Sequence, residues 1–187
     1  MWSIFKQKEL DVEYLTNQNK NLQKILESEE SYLKKENMIL SKVLIDKKSP
    51  YLKSIIINRG SKSGILKGMP VMDKEYLVGR IVETNYLSSR VLLLNDLNSR
   101  IPVTFGEEGI QAILKGSGGS RPVLEYLPEG YTIESGIDVF TSGKDGIFSP
   151  GSPIGITTEL GEVKLFSESS QLSFVKVDLS KQQEEDF

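Results

Sequence analysis

The sequence has no cysteine and no histidine. Without cysteine there is no disulfide, and nothing in the composition marks a redox compartment. Without histidine the Ser-His-Asp and Cys-His arrangements are excluded outright. Losing both residue types also removes ordinary zinc and copper sites, leaving only oxygen-ligand sites for calcium or magnesium. No run of 18 or more apolar residues occurs, so no segment of this sequence has the length and apolarity of a membrane-spanning helix. Charge of one sign is lacking too. The 23 basic and 26 acidic residues leave a net charge of -3, which gives no basic field for nucleic acid.

Glycine and proline are missing from the first 48 residues, and frequent after them. The N-terminal stretch is rich in Leu, Lys, Glu, Asn and Gln and reads as one long helix; the remainder reads as short strands between turns. In the helix, Phe5, Val12, Asn19, Leu26, Leu33 and Leu40 recur at intervals of seven, with Leu15, Leu22 and Val43 three residues after members of that series. A heptad of this kind keeps one seam toward a partner helix, and a polar Asn19 within it favours a defined two-stranded register. Lys8, Glu29 and Glu36 interrupt the companion positions. The self-association seam is therefore Val12, Leu15, Asn19, Leu22, Leu26, Leu33 and Leu40. The alternative is that the stripe packs on the following β region.

Strands are expected over residues 52–58, 70–74, 77–84, 91–95, 101–105, 110–115, 123–126, 139–141, 154–158, 163–166 and 172–177. Their spacing suits barrels or a sandwich. The fold class is thus mainly β with a long N-terminal α-helix, a coiled coil followed by two small β-barrel lobes. Residues 1–48 form the helix, 49–118 the first lobe and 119–187 the second, with strands open to exchange between lobes and a disordered acidic tail. Gly116-Ser117-Gly118-Gly119-Ser120 reads as the flexible joint. A short repeat supports two halves. Ile65-x-x-Gly68-x-x-Val71 precedes Val78-Gly79-Arg80-Ile81, and Ile133-x-x-Gly136-x-x-Val139 precedes Ile154-Gly155-Ile156.

Little in the chain points to catalysis. Ser142 and Lys144 could form a dyad only if burial lowered the lysine pKa, and the surrounding glycines make the segment a turn. Gly116–Gly119 lacks the spacing of a phosphate loop and has no helix after it. Glu107-Glu108 and the acidic tail lack the alternating spacing of a calcium loop. No cofactor is called for. Gly143, Gly146 and Gly151 are structural turn residues, at least one of them with positive φ. Tyr126, Phe140, Phe148 and Phe166 are the candidate partner-binding rings, since aromatic anchors dominate many interfaces; each could equally be core.

From about residue 52 to 177 the chain resembles the MreC family of rod-shape-determining proteins. The resemblance is carried by Val71 through Gly79-Arg80-Ile81-Val82, by Ser89-Arg90-Val91-Leu92-Leu93-Leu94-Asn95-Asp96, and by Ile101-Pro102-Val103. Its most specific part is Thr141-Ser142-Gly143-x-x-Gly146-x-Phe148-x-Pro150-Gly151-x-Pro153-Ile154-Gly155. The sequence departs from the family pattern at Ile137, where an acid is usual directly after the glycine, and at Ser149, which separates Phe148 from Pro150. The resemblance implies a non-catalytic scaffold of the cell-wall elongation machinery at the periplasmic face of the inner membrane, with a membrane anchor upstream. Its implied partners are itself, as a homodimer or larger, a class B penicillin-binding transpeptidase and membrane proteins of the elongation complex. The competing reading is a periplasmic adaptor of an export complex, but such adaptors need a helical hairpin rather than one helix. If the seam pairs, light scattering finds the intact chain as a dimer or larger at roughly tens of micromolar. Deleting residues 1–48 then shifts it toward monomer.

Overall fold

A computed structural model of the chain describes residues 1–35, 37–48 and 53–180. It falls into two units, Met1–Ile39 and Leu40–Phe187. The first is built on one helix, α1 (Trp2–Lys35), of 34 residues, a length of about 50 Å. The absence of Gly and Pro, with many Leu, Lys, Glu and Gln, explains its extent. Its end is marked by Asn37, which adopts the left-handed conformation with φ 59°, a position that Asn tolerates better than most residues just past a helix.

The helix was expected to run to residue 48, and here the structure corrects the sequence reading. Met38–Lys48 is a strand, β1. It pairs antiparallel with β2 (Lys53–Ile57), with Val43 opposite Ile57 and Asp46 opposite Ile55. Leu40 is therefore a half-buried strand residue and leaves the helical seam. Non-local pairing has overridden a local heptad pattern. Removing residues 1–48 would also take away β1, so substitutions within α1 test self-association more cleanly than truncation.

All eleven expected strands are present, ten with shifted ends and β7 with the expected bounds: β2, β3 (Pro70–Asp73), β4 (Tyr76–Thr84), β5 (Ser89–Leu93), β6 (Arg100–Phe105), β7 (Ile110–Lys115), β8 (Val123–Glu125), β9 (Asp138–Thr141), β10 (Pro153–Thr157), β11 (Val163–Leu165) and β12 (Phe174–Asp178). Strands β1-β12-β3-β4-β5-β2 close a barrel, and β11-β10-β9-β6-β7-β8 form a second, six-stranded sheet. The edges of the second sheet also meet, through a bridge between Val123 and Glu162 and bonds from Leu124 N to Gly161 O at 2.9 Å and Val163 N to Pro122 O at 2.8 Å. The interiors are filled by Ile55, Ile57, Val71, Ile81, Val91 and Val177 in the barrel, and by Ile101, Val103, Phe105, Leu114, Val139 and Ile154 in the sheet, all at most 1% exposed; burial alternates along β5, β6 and β7, while β2, β3, β4 and β10 have consecutive buried residues. Burying each such side chain stabilises the fold by about 1.5–3 kcal/mol.

The lobe boundaries also differ from the sequence reading. The second sheet spans residues 100–165 and sits in the chain between β5 and β12, while β12 returns to the first barrel. The glycine-rich stretch at 116–120 is not a free joint. Gly116 is buried, its N–H donates to Ser99 O at 3.0 Å, and Gly118 N donates to Asn95 O at 2.9 Å. A Cβ on Gly116 would stand 1.7 Å from Asp96 O. Asp96 itself is fully buried and accepts from Lys53 N at 2.6 Å and Asn98 N at 2.8 Å.

The short sequence repeat corresponds to a repeated hairpin. Val71 lies opposite Gly79, as Val139 lies opposite Gly155. Gly68 N donates to Ile81 O and Ile81 N to Met69 O, at 2.8 and 2.9 Å; Gly136 N donates to Thr157 O and Thr157 N to Ile137 O at the same two distances. Gly79 and Gly155 serve one purpose. A Cβ on either would come within 2.2 Å of a carbonyl oxygen on the next strand, Leu92 O or Lys164 O. Backbone cannot yield such space without moving a strand. Gly79→Ala and Gly155→Ala should each lower stability by about 2 kcal/mol or more, measured as the shift of the urea midpoint. A loss below about 0.5 kcal/mol in both would contradict the close approach.

Candidate interaction surfaces

The outer positions of α1 include much of the expected seam. Val12, Leu15, Leu22 and Leu26 are 63, 58, 56 and 44% exposed, and Asn19 is exposed among them. Leu33 lies outside the residues whose side chains are described. The stripe thus presents apolar area to water along one helix, without a cavity or a titratable cluster. Trp2, Ile4 and Phe5 extend the exposed apolar surface to the first turn.

A second feature is the connection between β9 and β10. In the first barrel the matching connection is a tight turn at Lys74 and Glu75; in the second sheet it is residues 142–152. This loop is the main departure from the repeat. Buried Thr141 organises it: its hydroxyl donates to Ser149 O at 2.6 Å and accepts from Ser152 N at 2.9 Å, and its carbonyl accepts from Gly151 N at 2.9 Å. Asp145 Oδ1 accepts from Ile147 N at 3.0 Å, and Gly146 N donates to Gly143 O at 3.1 Å. Gly143, Gly146 and Gly151 all have positive φ, at 73, 65 and 90°. Lys144 is exposed and its backbone N–H donates to Ser142 Oγ at 3.4 Å. Its ammonium group therefore has none of the burial that a general base would need.

The four candidate rings separate into different environments. Phe148 is 4% exposed and belongs to the core, so it is removed from the candidate surface. The loop folds back and inserts it, where sequence alone left ring and turn indistinguishable. Phe140 is half-buried on β9. Phe166 is 38% exposed and lies against Tyr76 with ring centroids 5.0 Å apart. Beside this pair, Phe174 and Leu172 help line a shallow groove. The Glu75 side chain, by hydrogen bonding and by its charge, raises the Tyr76 phenol above its ordinary pKa.

Tyr126 is the most exposed of the four, at 81%, and it holds φ at 60°. A left-handed non-glycine residue costs about 1 kcal/mol, so the chain holds this ring outward in an unfavourable conformation. It borders a depression lined by Pro102, Ala112, Ile113 and the loop residues Lys144 and Asp145. The sequence reading missed the contribution of Pro102 and Ile113. Their outward positions on β6 and β7 follow from alternation around the buried Ile101, Val103, Ala112 and Leu114.

Among the described residues, no three acidic side chains converge to hold a cation. A long helix with an exposed apolar stripe, followed by two glycine-punctuated β lobes, defines a mainly β protein of the helix-plus-barrel class. Residues 43–183 match the family described as rod shape-determining protein MreC, barrel core, and the chain belongs to that family. It is 36% identical over 148 residues to the cell shape-determining protein MreC of Caulobacter vibrioides, covering 77% of this chain and 43% of that protein. To the MreC of Escherichia coli it is 30% identical over 126 residues, covering 67% of this chain and 34% of that protein. The chain therefore spans less than half the length of these relatives. The crystal structure of MreC from Pseudomonas aeruginosa superposes with a TM-score of 0.70 at 27% identity, over 75% of this chain and 97% of that one. The fold is also shared, at a TM-score of 0.55 and 15% identity, with a structure described as a complex between penicillin-binding protein PBP2 and MreC from Helicobacter pylori.

The loop geometry ranks its glycines. A Cβ on Gly143 would lie 3.0–3.2 Å from Pro150, whereas one on Gly146 would meet nothing within 4 Å. Both substitutions by valine carry the cost of positive φ, about 1 kcal/mol. Gly143→Val should therefore destabilise the chain more than Gly146→Val, by about 1 kcal/mol or more in denaturant titrations. Equal losses would show that Pro150 gives way freely.

Proposed function

We propose that this chain is a non-catalytic scaffold of the bacterial cell-wall elongation machinery, acting outside the cytoplasm. It associates with itself through α1 and binds a class B penicillin-binding transpeptidase through its β lobes, beside membrane proteins of the same complex. An anchor upstream of these residues holds it to the periplasmic face of the inner membrane. No helix among the described residues is long and apolar enough to cross a membrane. The observation that carries this reading is the family match across residues 43–183, in a family described as rod shape-determining. The PBP2 complex of the Helicobacter pylori relative supports the choice of partner. The export-adaptor reading is disfavoured because the described residues contain one α-helix and no returning partner for it.

Two physical features support the division of labour. The helix offers a regular apolar stripe, which suits pairing with an identical stripe. Its remaining surface is charged and solvated, and such charges add little affinity each. The β lobes offer rings held outward, Tyr126 above all, and one well-placed aromatic can supply 2 kcal/mol or more of binding, on the order of a thirtyfold change in affinity.

The reading is tested with the extracytoplasmic part of the cognate transpeptidase and the intact chain. Tyr126→Ser should weaken binding at least about tenfold while leaving self-association unchanged. Paired Leu15→Ser and Leu22→Ser substitutions should reduce self-association and, through lost avidity, weaken apparent binding only where the partner is surface-immobilised. A Leu15/Leu22 variant that loses all transpeptidase binding even when artificially dimerised, with Tyr126→Ser and Phe166→Ser without effect, would assign recognition to the helix instead.

A further inference from the structure

The first two turns of α1 differ in kind from the stripe that follows them. Trp2, Ile4 and Phe5 are exposed, at 82, 61 and 70%. With about 100° of rotation per residue, these three side chains cover an arc of about 160° around the helix axis. The seam of Val12, Leu15, Leu22 and Leu26 covers about half of that. Trp2 is the only tryptophan of the chain, and Lys6 and Lys8 are the only charged side chains among the first eight residues. Glu9, Asp11 and Glu13 follow at once, so the sign of the charge reverses within one turn.

Lys8 separates the two regions. It is exposed, three residues after Phe5 and four before Val12, and so lies on the apolar side of the helix. A lysine within a helix–helix seam costs stability, which leaves Trp2, Ile4 and Phe5 beyond the well-matched part of the stripe. At a lipid surface the same placement is favourable, because a lysine stem lies along apolar surface while its ammonium reaches outward to phosphate. Lys6 stands on the other flank, with Nζ 5.7 Å from the centre of the Trp2 ring. An indole with a cation beside it suits the headgroup level, where tryptophan is enriched.

We propose that residues 2–8 rest in the surface of a membrane that contains anionic lipid. Trp2, Ile4 and Phe5 enter the boundary between headgroups and acyl chains, and Lys6 and Lys8 meet the lipid phosphates. Charge complementarity selects this occupant: a second copy of α1 lying parallel would bring two basic segments together, whereas an anionic surface neutralises them. The contact ends where the carboxylates of Glu9, Asp11 and Glu13 begin, since the same surface repels them. The stripe from Val12 onward is left free for pairing. The contact is separate from that stripe and from the Tyr126 surface, and the scaffold reading does not depend on it.

The test mixes the intact chain with vesicles of phosphatidylglycerol and phosphatidylcholine, or of phosphatidylcholine alone, and follows flotation and the fluorescence of Trp2. On the mixed vesicles the emission should move to shorter wavelength and be quenched by brominated acyl chains. Binding at low salt should be at least about tenfold tighter than to phosphatidylcholine alone. Lys6→Gln with Lys8→Gln should abolish that preference. Ile4→Gln with Phe5→Gln should weaken binding to the mixed vesicles at least about tenfold. Glutamine keeps the helix propensity high, and circular dichroism reports whether each variant retains α1. Without lipid, Trp2 should emit as a water-exposed indole at every protein concentration. Equal binding to the two kinds of vesicle, no binding to either, or binding unchanged in either double variant would each overturn the proposal. So would a shift to shorter wavelength that grows with protein concentration in the absence of lipid, which would assign these residues to a second copy of the chain.

Discussion

The first barrel can close only if the end of the chain returns to its beginning. Strand β12 lies between β1 and β3, pairing Val177 with Val71 and Lys176 with Met72, while Val43 N donates to Ser173 O at 2.9 Å. Val175 and Val177 then fill the barrel interior at 1 and 0% exposure. Everything between β5 and β12 is thereby an insertion held at both ends. The outgoing end is fixed by Asp96 and the close approach of Gly116. The returning end is fixed by Ser167 Oγ donating to Asp73 Oδ2 at 2.7 Å and by the Phe166–Tyr76 ring contact. The loop-closure entropy of joining distant segments is substantial, but it grows only slowly with loop length. A second lobe can therefore be inserted at small added cost once β12 is seated.

This closure also explains the relation between the lobes. Taking the shared hairpin as reference, β3, β4 and β5 correspond to β9, β10 and β11, and the strand beside β3 corresponds to the strand beside β9. That strand is β12 in the barrel and β6 in the sheet. The second lobe uses its strands in chain order from β6 to β11. The first uses the same arrangement, with its leading strand supplied from the C-terminal end. The two lobes thus share a framework, and their surfaces differ where one connection has lengthened into the Thr141-anchored loop. That loop brings Lys144 and Asp145 to the depression beside Tyr126. A rigid framework carrying one elaborated loop is a common way to place recognition residues.

The physical character of the surfaces follows. Interiors are filled with aliphatic residues directed inward from the strands of both lobes. What remains outside is a stripe on a helix, rings at lobe edges and a charged cleft, lined by Lys53, Arg121 and Lys164, where the lobes and the returning segment meet. Each is an open surface of the kind that a macromolecular partner can cover. The positive φ of Tyr126 is the local signature of this arrangement: a ring kept in water at a backbone cost is hard to explain by the stability of the isolated chain.

Sequence by itself determined the helix, eleven of the twelve strands after it and the turns of the 142–152 loop. These are set by local periodicity and by glycine, which act over a few residues. The same periodicity failed at residues 38–48, where Leu40 and Val43 continued a heptad while the backbone joined a barrel. Asn37 was a weak stop signal, because Asn17, Asn19 and Asn21 lie within the helix itself. The placement of Phe148 inside and Tyr126 outside could not be read either, since both are aromatic residues near turns. Tertiary structure alone decided the partners of β1 and β12, the burial of Asp96 and Gly116, and the gathering of Lys53, Arg121 and Lys164 in one cleft. Those outcomes depend on strands far apart in the chain meeting in register, and no local pattern encodes which distant edge a strand will join.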